Sequence, residues 1–205
     1  MVRSRRLRTA GLSLPKLLII FIIHVINALY QMIKIKIKPL KGIDIESIGE
    51  VSLGESRQNI ERLLGKPSKP YSNPSAYYDQ YEMRIDFDKL ERVEYIEFLY
   101  GPFPEKAELL IYDINPFTLG AEKLVEILSK YNNGEVDLSN AEYSYAFLNS
   151  SVGIWREVTQ KDVEESITEL KLKGEYEFNK SSFEDELENS KNFWTIGIGI
   201  ADYYK

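Results

Sequence analysis

A helix followed by a β-hairpin is predicted twice along this chain, near residues 53–100 and 116–157. In each cycle a short amphipathic segment ends at turn-forming residues and leads into two alternating segments joined by a turn. Strand pairs that alternate with helices, without a regular βαβ rhythm, favour an antiparallel sheet. The sequence therefore predicts an α+β fold in which helices pack on one side of an antiparallel sheet. The two cycles suggest two helix–hairpin modules in tandem.

The helix of the first cycle has recognisable signals at both ends. Ser56 can accept a hydrogen bond from a backbone amide at the N-terminus of the helix. Gly65 can take the left-handed conformation after the last turn, and Pro67 prevents continuation. The next two segments, Tyr77–Phe87 and Arg92–Tyr100, alternate between apolar and polar residues. They predict the two strands of the first hairpin.

The other segments of residues 32–205 show similar patterns. Isoleucine alternates with lysine from Ile33 to Lys38, which predicts a strand with one buried face and lysines typical of an exposed sheet edge. Gly197 and Gly199 lie on one face of a predicted terminal strand, where a bulky neighbour can approach closely. The remaining predicted elements are a strand over 109–112, a helix over 121–131, a hairpin over 143–157, a helix from Thr159 to about Lys173 and a shorter helix over 183–189, capped by Ser182.

Residues 1–31 differ from the rest, because they carry five basic residues and no acidic one. Leu17–Tyr30 is a largely apolar run of 14 residues. As a helix it would be about 21 Å long, short of a hydrocarbon core of roughly 30 Å. Three alternatives stay open: an anchor, a removed signal peptide, or a tail upstream of a real start at Met32. We expect residues 32–205 to form a single α+β domain, cytoplasmic unless residues 17–30 anchor it to a membrane.

The charge balance argues against a nucleic-acid partner. The whole chain carries −6 and its first 31 residues carry +5, so residues 32–205 carry −11. Binding to a phosphate backbone requires an excess of lysine and arginine, whereas residues 32–205 carry an excess of acids. An acidic surface suits a basic protein partner, or it simply keeps a protein soluble. We therefore predict a protein partner and no nucleic acid.

The residue types that catalysis uses most often are scarce. The only histidine, His24, lies in the N-terminal segment, and the chain has no cysteine. Residues 32–205 therefore cannot supply a Ser–His–Asp triad, a cysteine nucleophile, a disulfide or a His- or Cys-ligated metal. Asp86 and Asp88 are more typical of a hairpin turn than of a cation site. We predict a domain that is not an enzyme and needs no metal or cofactor. A carboxylate-based hydrolase is the alternative, because the spatial separation of acids cannot be read from sequence.

Two clusters are candidates for contact with a partner. Tyrosines beside acids on a strand can supply interface anchors, and a group of acids on a helix can meet basic side chains. The alternative interpretations are core packing for the tyrosines and an ordinary solvated helix turn for the acids. The predicted contact residues are Tyr77, Tyr78, Asp79, Glu82, Glu184, Asp185 and Glu186.

The segment LGESRQNIERLLGKP at 53–67, followed by a hairpin, resembles the opening of modules in β-lactamase-inhibitor-protein-like domains and in small domains of outer-membrane-assembly lipoproteins. Those modules place a short helix ahead of an antiparallel sheet, and the inhibitor proteins carry two in tandem. The chain departs from both groups, since it has no lipid-bearing cysteine and no counterpart to the inhibitors' disulfides. A compact acidic α+β chain without a catalytic signature is also similar to bacterial immunity proteins. The resemblance implies a binding domain that neutralises a basic toxin or enzyme.

Overall fold

Two β-sheets and four α-helices make up the computed structural model, which describes residues 32–68, 74–99, 101 and 104–205. The helices are α1 (Arg57–Leu64), α2 (Ala121–Asn132), α3 (Gln160–Lys173) and α4 (Tyr176–Asn189). The strands are β1 (Ile33–Lys38), β2 (Gly42–Ile45), β3 (Gly49–Ser52), β4 (Ser75–Tyr78), β5 (Met83–Phe87), β6 (Val93–Phe98), β7 (Ala107–Ile111), β8 (Val136–Asp137), β9 (Ser144–Phe147), β10 (Val152–Trp155) and β11 (Thr195–Gly199). The predicted α+β class with largely antiparallel sheets is confirmed.

The larger sheet contains both predicted hairpins. Its strand order is β4-β5-β6-β11-β10-β9-β8, and every neighbouring pair is antiparallel. The first cycle adds its strands from one edge inwards, and the second cycle does so from the other edge. The terminal strand β11 then pairs with both β6 and β10, which joins the two cycles into one sheet.

The smaller sheet has the order β3-β2-β1-β7, and its β1–β7 pair is parallel. The expectation that β1 is an edge strand is wrong, because β2 and β7 pair with it on its two sides. Its lysines instead meet acids on neighbouring segments. Lys38 forms ion pairs with Asp44, at 3.2 Å, and with Glu50, and Lys36 lies 3.1 Å from Asp113. Opposite charges across strands therefore let a lysine-rich strand occupy the interior of a sheet.

One core joins the two sheets to α1 and α2. Alternate residues of β1, β5, β6 and β11 point into it, so that Ile35, Ile85 and Ile198 are fully buried. Ile60 of α1 and Leu124 of α2 are buried in the same cluster. Each such side chain contributes roughly 1.5–3 kcal/mol to folding. The residues that alternate with these along the strands of the larger sheet lie on its opposite face, away from the core.

The helix ends follow the predicted signals except at α4. The Ser56 hydroxyl accepts the Asn59 amide at 3.4 Å. Gly65 ends the helix as predicted, but its φ of 84° comes with a ψ of −172°, so it does not have the predicted left-handed helical conformation. Glycine is the residue that readily adopts this combination of angles. Thr159 and Asp162 form a reciprocal capping box at the start of α3. The shorter helix begins at Tyr176 instead of 183, because Gly174, at a φ of 72°, turns the chain and a new helix starts almost at once.

The predicted strand Tyr77–Phe87 is interrupted. A 3₁₀ turn over Asp79–Tyr81 and a left-handed Glu82, with a φ of 52°, separate β4 from β5. The interruption is explained by Glu82, whose carboxylate accepts the backbone amides of Glu105, at 2.8 Å, and Ala107, at 3.0 Å. These bonds hold the turn against the start of β7.

The apolar run Leu17–Tyr30 and His24 lie outside the described residues. Among residues 32–68, 74–99, 101 and 104–205, no helix is both long and apolar enough to cross a membrane.

Candidate functional site

α3 and α4 pack against each other as a helical hairpin, residues 160–189, which we call the acidic hairpin. α3 buries only Val163 and Ile167, both in its first half. α4 has no buried residue, and its half-buried Tyr176, Phe183 and Leu187 follow helical spacing. The hairpin is therefore held at its base, and the turn at Gly174 is exposed to solvent.

Hydrogen bonds attach the base of the acidic hairpin to the larger sheet. Arg156, just after β10, donates from Nη1 to the Ser190 carbonyl at 2.9 Å and from Nε to the Glu142 carbonyl at 2.7 Å. The Trp194 indole donates to the Asn189 carbonyl at 3.3 Å. A cation at the C-terminal end of α4 also interacts favourably with the helix dipole. These contacts fix where the hairpin leaves the body.

The acidic hairpin carries a net charge of −6, from ten acids and four lysines. Three lysines make ion pairs one turn away along the same helix, at 3.6–3.9 Å. The fourth, Lys171, lies 4.8 Å from the centre of the Tyr176 ring. No lysine is left to neutralise the other acids. The structure describes all ten acids of the hairpin, and six of them have no ion pair: Asp162, Glu164, Glu175, Glu177, Asp185 and Glu186.

Two large apolar side chains flank the tip of this charged structure. Leu172, in the last turn of α3, is 85% exposed, and Phe178, in the first turn of α4, is 89% exposed. Leu172 lies nine residues after Val163, which places it about 180° around the helix from the buried face. Neither side chain can reach the core. Single exposed apolar residues are ordinary, but an exposed leucine and phenylalanine at one acidic turn can anchor a protein partner.

The structure divides the predicted contact residues into three groups. Glu184, Asp185 and Glu186 belong to α4, and the first two are exposed. Tyr77 and Asp79 are half-buried at an edge of the larger sheet, and their predicted role stays a prediction.

Tyr78 and Glu82 are corrections to that set, because they are buried, at 0% and 6% exposure. The Tyr78 ring fills the core, and the Glu82 carboxylate is occupied by two backbone amides. A partner cannot reach either side chain while the domain is folded.

Leu172 and Phe178 were missed by the sequence-based selection, which relied on acids and tyrosines. A signal was present at Leu172, because it is an apolar residue that lies outside the stripe formed by Val163, Ile167 and Leu170. An apolar residue opposite the core-facing stripe of a helix is a candidate contact residue. Phe178 offered no such signal, since the start of α4 was not predicted.

The outer face of the larger sheet carries a cluster of half-buried and buried charges. Arg84 of β5 lies 3.1 Å from both Asp86 and Glu97. Burial raises the pKa of the Glu97 carboxyl, and the Arg84 guanidinium opposes this rise. Tyr95, stacked on Tyr203 at 4.6 Å between ring centres, lies beside this triad. The two carboxylates therefore share one arginine, and aromatic rings lie beside the cluster.

No family model matches the sequence, and no curated protein and no solved structure is significantly similar to it. In the part of the chain that the structure describes, no three His, Asp or Glu side chains are grouped so that they could hold a metal ion.

Proposed function

We propose that this domain is a non-catalytic protein-binding module of the immunity or inhibitor type. It neutralises a basic toxin or enzyme by covering part of its surface with the acidic hairpin. The observation that carries the proposal is the exposure of Leu172 and Phe178 on a hairpin of net charge −6.

The two kinds of residue have different roles in this interface. Unpaired acids on the hairpin attract a basic surface and raise the association rate, more than they raise the final affinity. Leu172 and Phe178 supply the affinity, since burying such a side chain is worth roughly 1.5–3 kcal/mol. Acids around an apolar centre also match the usual arrangement of an interface, in which a polar rim surrounds a desolvated core.

The charge distribution favours the hairpin over the sheet as the binding surface. More than half of the −11 carried by residues 32–205 lies within residues 160–189. On the sheet side, Tyr78 and Glu82 are buried and cannot contribute. The tyrosine-bearing sheet edge is therefore at most a secondary contact.

The test is affinity capture from the native host with the full chain and two hairpin variants. One variant combines Leu172→Ala and Phe178→Ala, and the other combines Asp185→Lys and Glu186→Lys. We expect a basic protein that binds the wild type, is lost with both variants and elutes as salt is raised. The captured protein, once purified, should lose its activity when the wild type is added and keep it with either variant.

Matched changes outside the hairpin serve as controls. Leu90→Ala removes another exposed leucine, 75% exposed, and Glu46→Lys reverses an exposed acid. Both controls should capture and inhibit the same protein as the wild type. The proposal is wrong if the hairpin variants and the controls retain the same set of proteins, or if the captured protein remains active in the presence of the wild type.

A further inference from the structure

A cavity of about 950 Å³ lies beside the base of the acidic hairpin. It is lined by the first turn of α2, by Tyr145 of β9, by Arg156 just after β10, by the first turn of α3 and by the segment between α4 and β11. Its apolar wall consists of Ala121, Val125, Tyr145 and Phe193. The Tyr145 and Phe193 rings meet edge to face, at 5.9 Å between centres. The volume lies in the range of small-molecule sites, roughly 300–1,000 Å³.

Arg156 brings a positive charge to this wall. Two of its five N–H groups are used by the backbone carbonyls of Glu142 and Ser190. In the described part of the chain Nη2 has no hydrogen-bond partner, and no carboxylate lies within 4.0 Å of the guanidinium. Glu142 and Asp162 influence Arg156 only from a greater distance. The guanidinium carbon lies 5.0 Å from the centre of the Phe193 ring.

The cavity lining contains four cations and three carboxylates. Lys123, Lys161 and Lys191 form ion pairs with Glu126, Glu165 and Glu188, so Arg156 is the cation of the lining that has no ion pair among the described residues. Gly120, the residue before α2, provides no side-chain cap for the first amides of that helix. The N-terminal end of α2 therefore adds partial positive charge. The charged residues of the lining are Arg156, Lys123, Lys161 and Lys191, with Glu122, Glu126 and Glu142.

We propose that this cavity binds a small aromatic monocarboxylate. The carboxylate accepts from Nη2 of Arg156, and the ring of the ligand packs against Phe193 and Tyr145. A singly charged ligand is favoured over a phosphate dianion, because three carboxylates share the lining. In addition, only the N–H groups of Arg156 that do not bond to Glu142 and Ser190 are available to an anion. An aromatic body is favoured because two rings form the wall. This site does not depend on the proposed function of the hairpin.

The test uses the full chain and calorimetric titration with 3-phenylpropanoate. We expect saturable binding that is at least about tenfold tighter than binding of 3-phenylpropanol, which has the same ring and no charge. Inorganic phosphate should bind more weakly than the carboxylate. These two comparisons separate an amphipathic site from a simple apolar cavity and from a general anion site.

Ala121→Asp places a carboxylate in the lining and leaves Arg156 and its structural bonds in place. An acid in the first turn of a helix is favourable, so this variant should fold, and its thermal unfolding tests this expectation. We expect it to bind 3-phenylpropanoate about tenfold more weakly. Lys130→Gln makes the same change in net charge at the far end of α2 and should bind like the wild type.

Each of four results would overturn the proposal. They are no heat of binding at millimolar 3-phenylpropanoate, equal binding of the alcohol, equal or tighter binding of phosphate, and a folded Ala121→Asp protein with wild-type affinity.

Discussion

Replacing Gly153 with alanine should detach the C-terminal residues from the larger sheet. Gly153 lies in β10 and faces the C-terminal tail, residues 200–205, where the Tyr204 ring packs across it. A Cβ at this position would lie 2.6 Å from Cζ of Tyr204 and closer still to its hydroxyl oxygen. Ordinary contacts begin near 3.4 Å, so the ring must withdraw by about 1 Å or leave.

The expected cost can be estimated from what Tyr204 loses. Its hydroxyl donates to the Tyr95 hydroxyl at 3.1 Å, and that bond is worth about 1 kcal/mol. Overpacking a buried site typically costs about 1–3 kcal/mol. The cost of the substitution cannot exceed the free energy with which the C-terminal residues dock on the sheet, because once they detach the clash is gone. We therefore expect Gly153→Ala to lower the free energy of unfolding by about 1–3 kcal/mol.

A double-mutant cycle with Tyr204→Ala tests the cause. Without the ring, an alanine in a strand is favoured over glycine by roughly 0.5–1 kcal/mol, because glycine loses more entropy on folding. Gly153→Ala should therefore change sign and stabilise the Tyr204→Ala protein. Urea unfolding followed by tryptophan fluorescence gives all four free energies. The reasoning is refuted if the substitution costs the same in both backgrounds.

Three further predictions concern single groups. Burial raises the pKa of Tyr95 and Tyr204. The unfolded chain therefore loses these protons first, so the free energy of unfolding should fall above about pH 10, by about 1.4 kcal/mol per pH unit for each group. Urea unfolding between pH 9 and 11 measures this fall. Glu82→Gln should cost about 1–3 kcal/mol in the same assay at neutral pH, because an amide oxygen is a weaker and less complete acceptor for two buried N–H groups. Hydrogen bonds from Thr159 lower the pKa of Asp162, so the stability they provide is present above about pH 4 and is lost as the pH falls further; circular dichroism should show helix loss there that Asp162→Asn no longer shows.

Local patterns were sufficient to predict the elements whose two ends and buried face are encoded side by side. α1 is an example, since Ser56 and Gly65 delimit it and Ile60 marks its inner face. The paired parts of the two hairpins, β5 with β6 and β9 with β10, were predicted for the same reason, because alternation and turn residues occur together there. Gly197 was also understood correctly, because Tyr95 occupies the space that a side chain there would need.

The partition into two sheets could not be predicted, because it depends on pairing between distant segments. β1 pairs with β7, so that Ile33 lies beside Ala107, and nothing near either residue indicates the other. The interruption at Glu82 has the same origin, since its partners at 105 and 107 follow much later in the chain. At the candidate site, acids were visible in the sequence, but the exposure of Phe178 depended on where α4 begins and packs.

The concentration of acids on the hairpin makes a final prediction about salt. The hairpin carries a net charge of −6, and six of its acids have no ion pair, so the excess acids repel one another. Added salt screens this repulsion, so it should stabilise the hairpin in the unbound protein, which we call the free hairpin. The measurement is the temperature at which helical structure is lost on heating. The same salt should weaken the complex, because a basic partner turns these repulsions into attractions. Opposite effects of salt on the free hairpin and on the complex therefore distinguish a binding surface from a merely soluble one. A complex that tightens with salt, or a free hairpin that loses helix with it, would contradict this account.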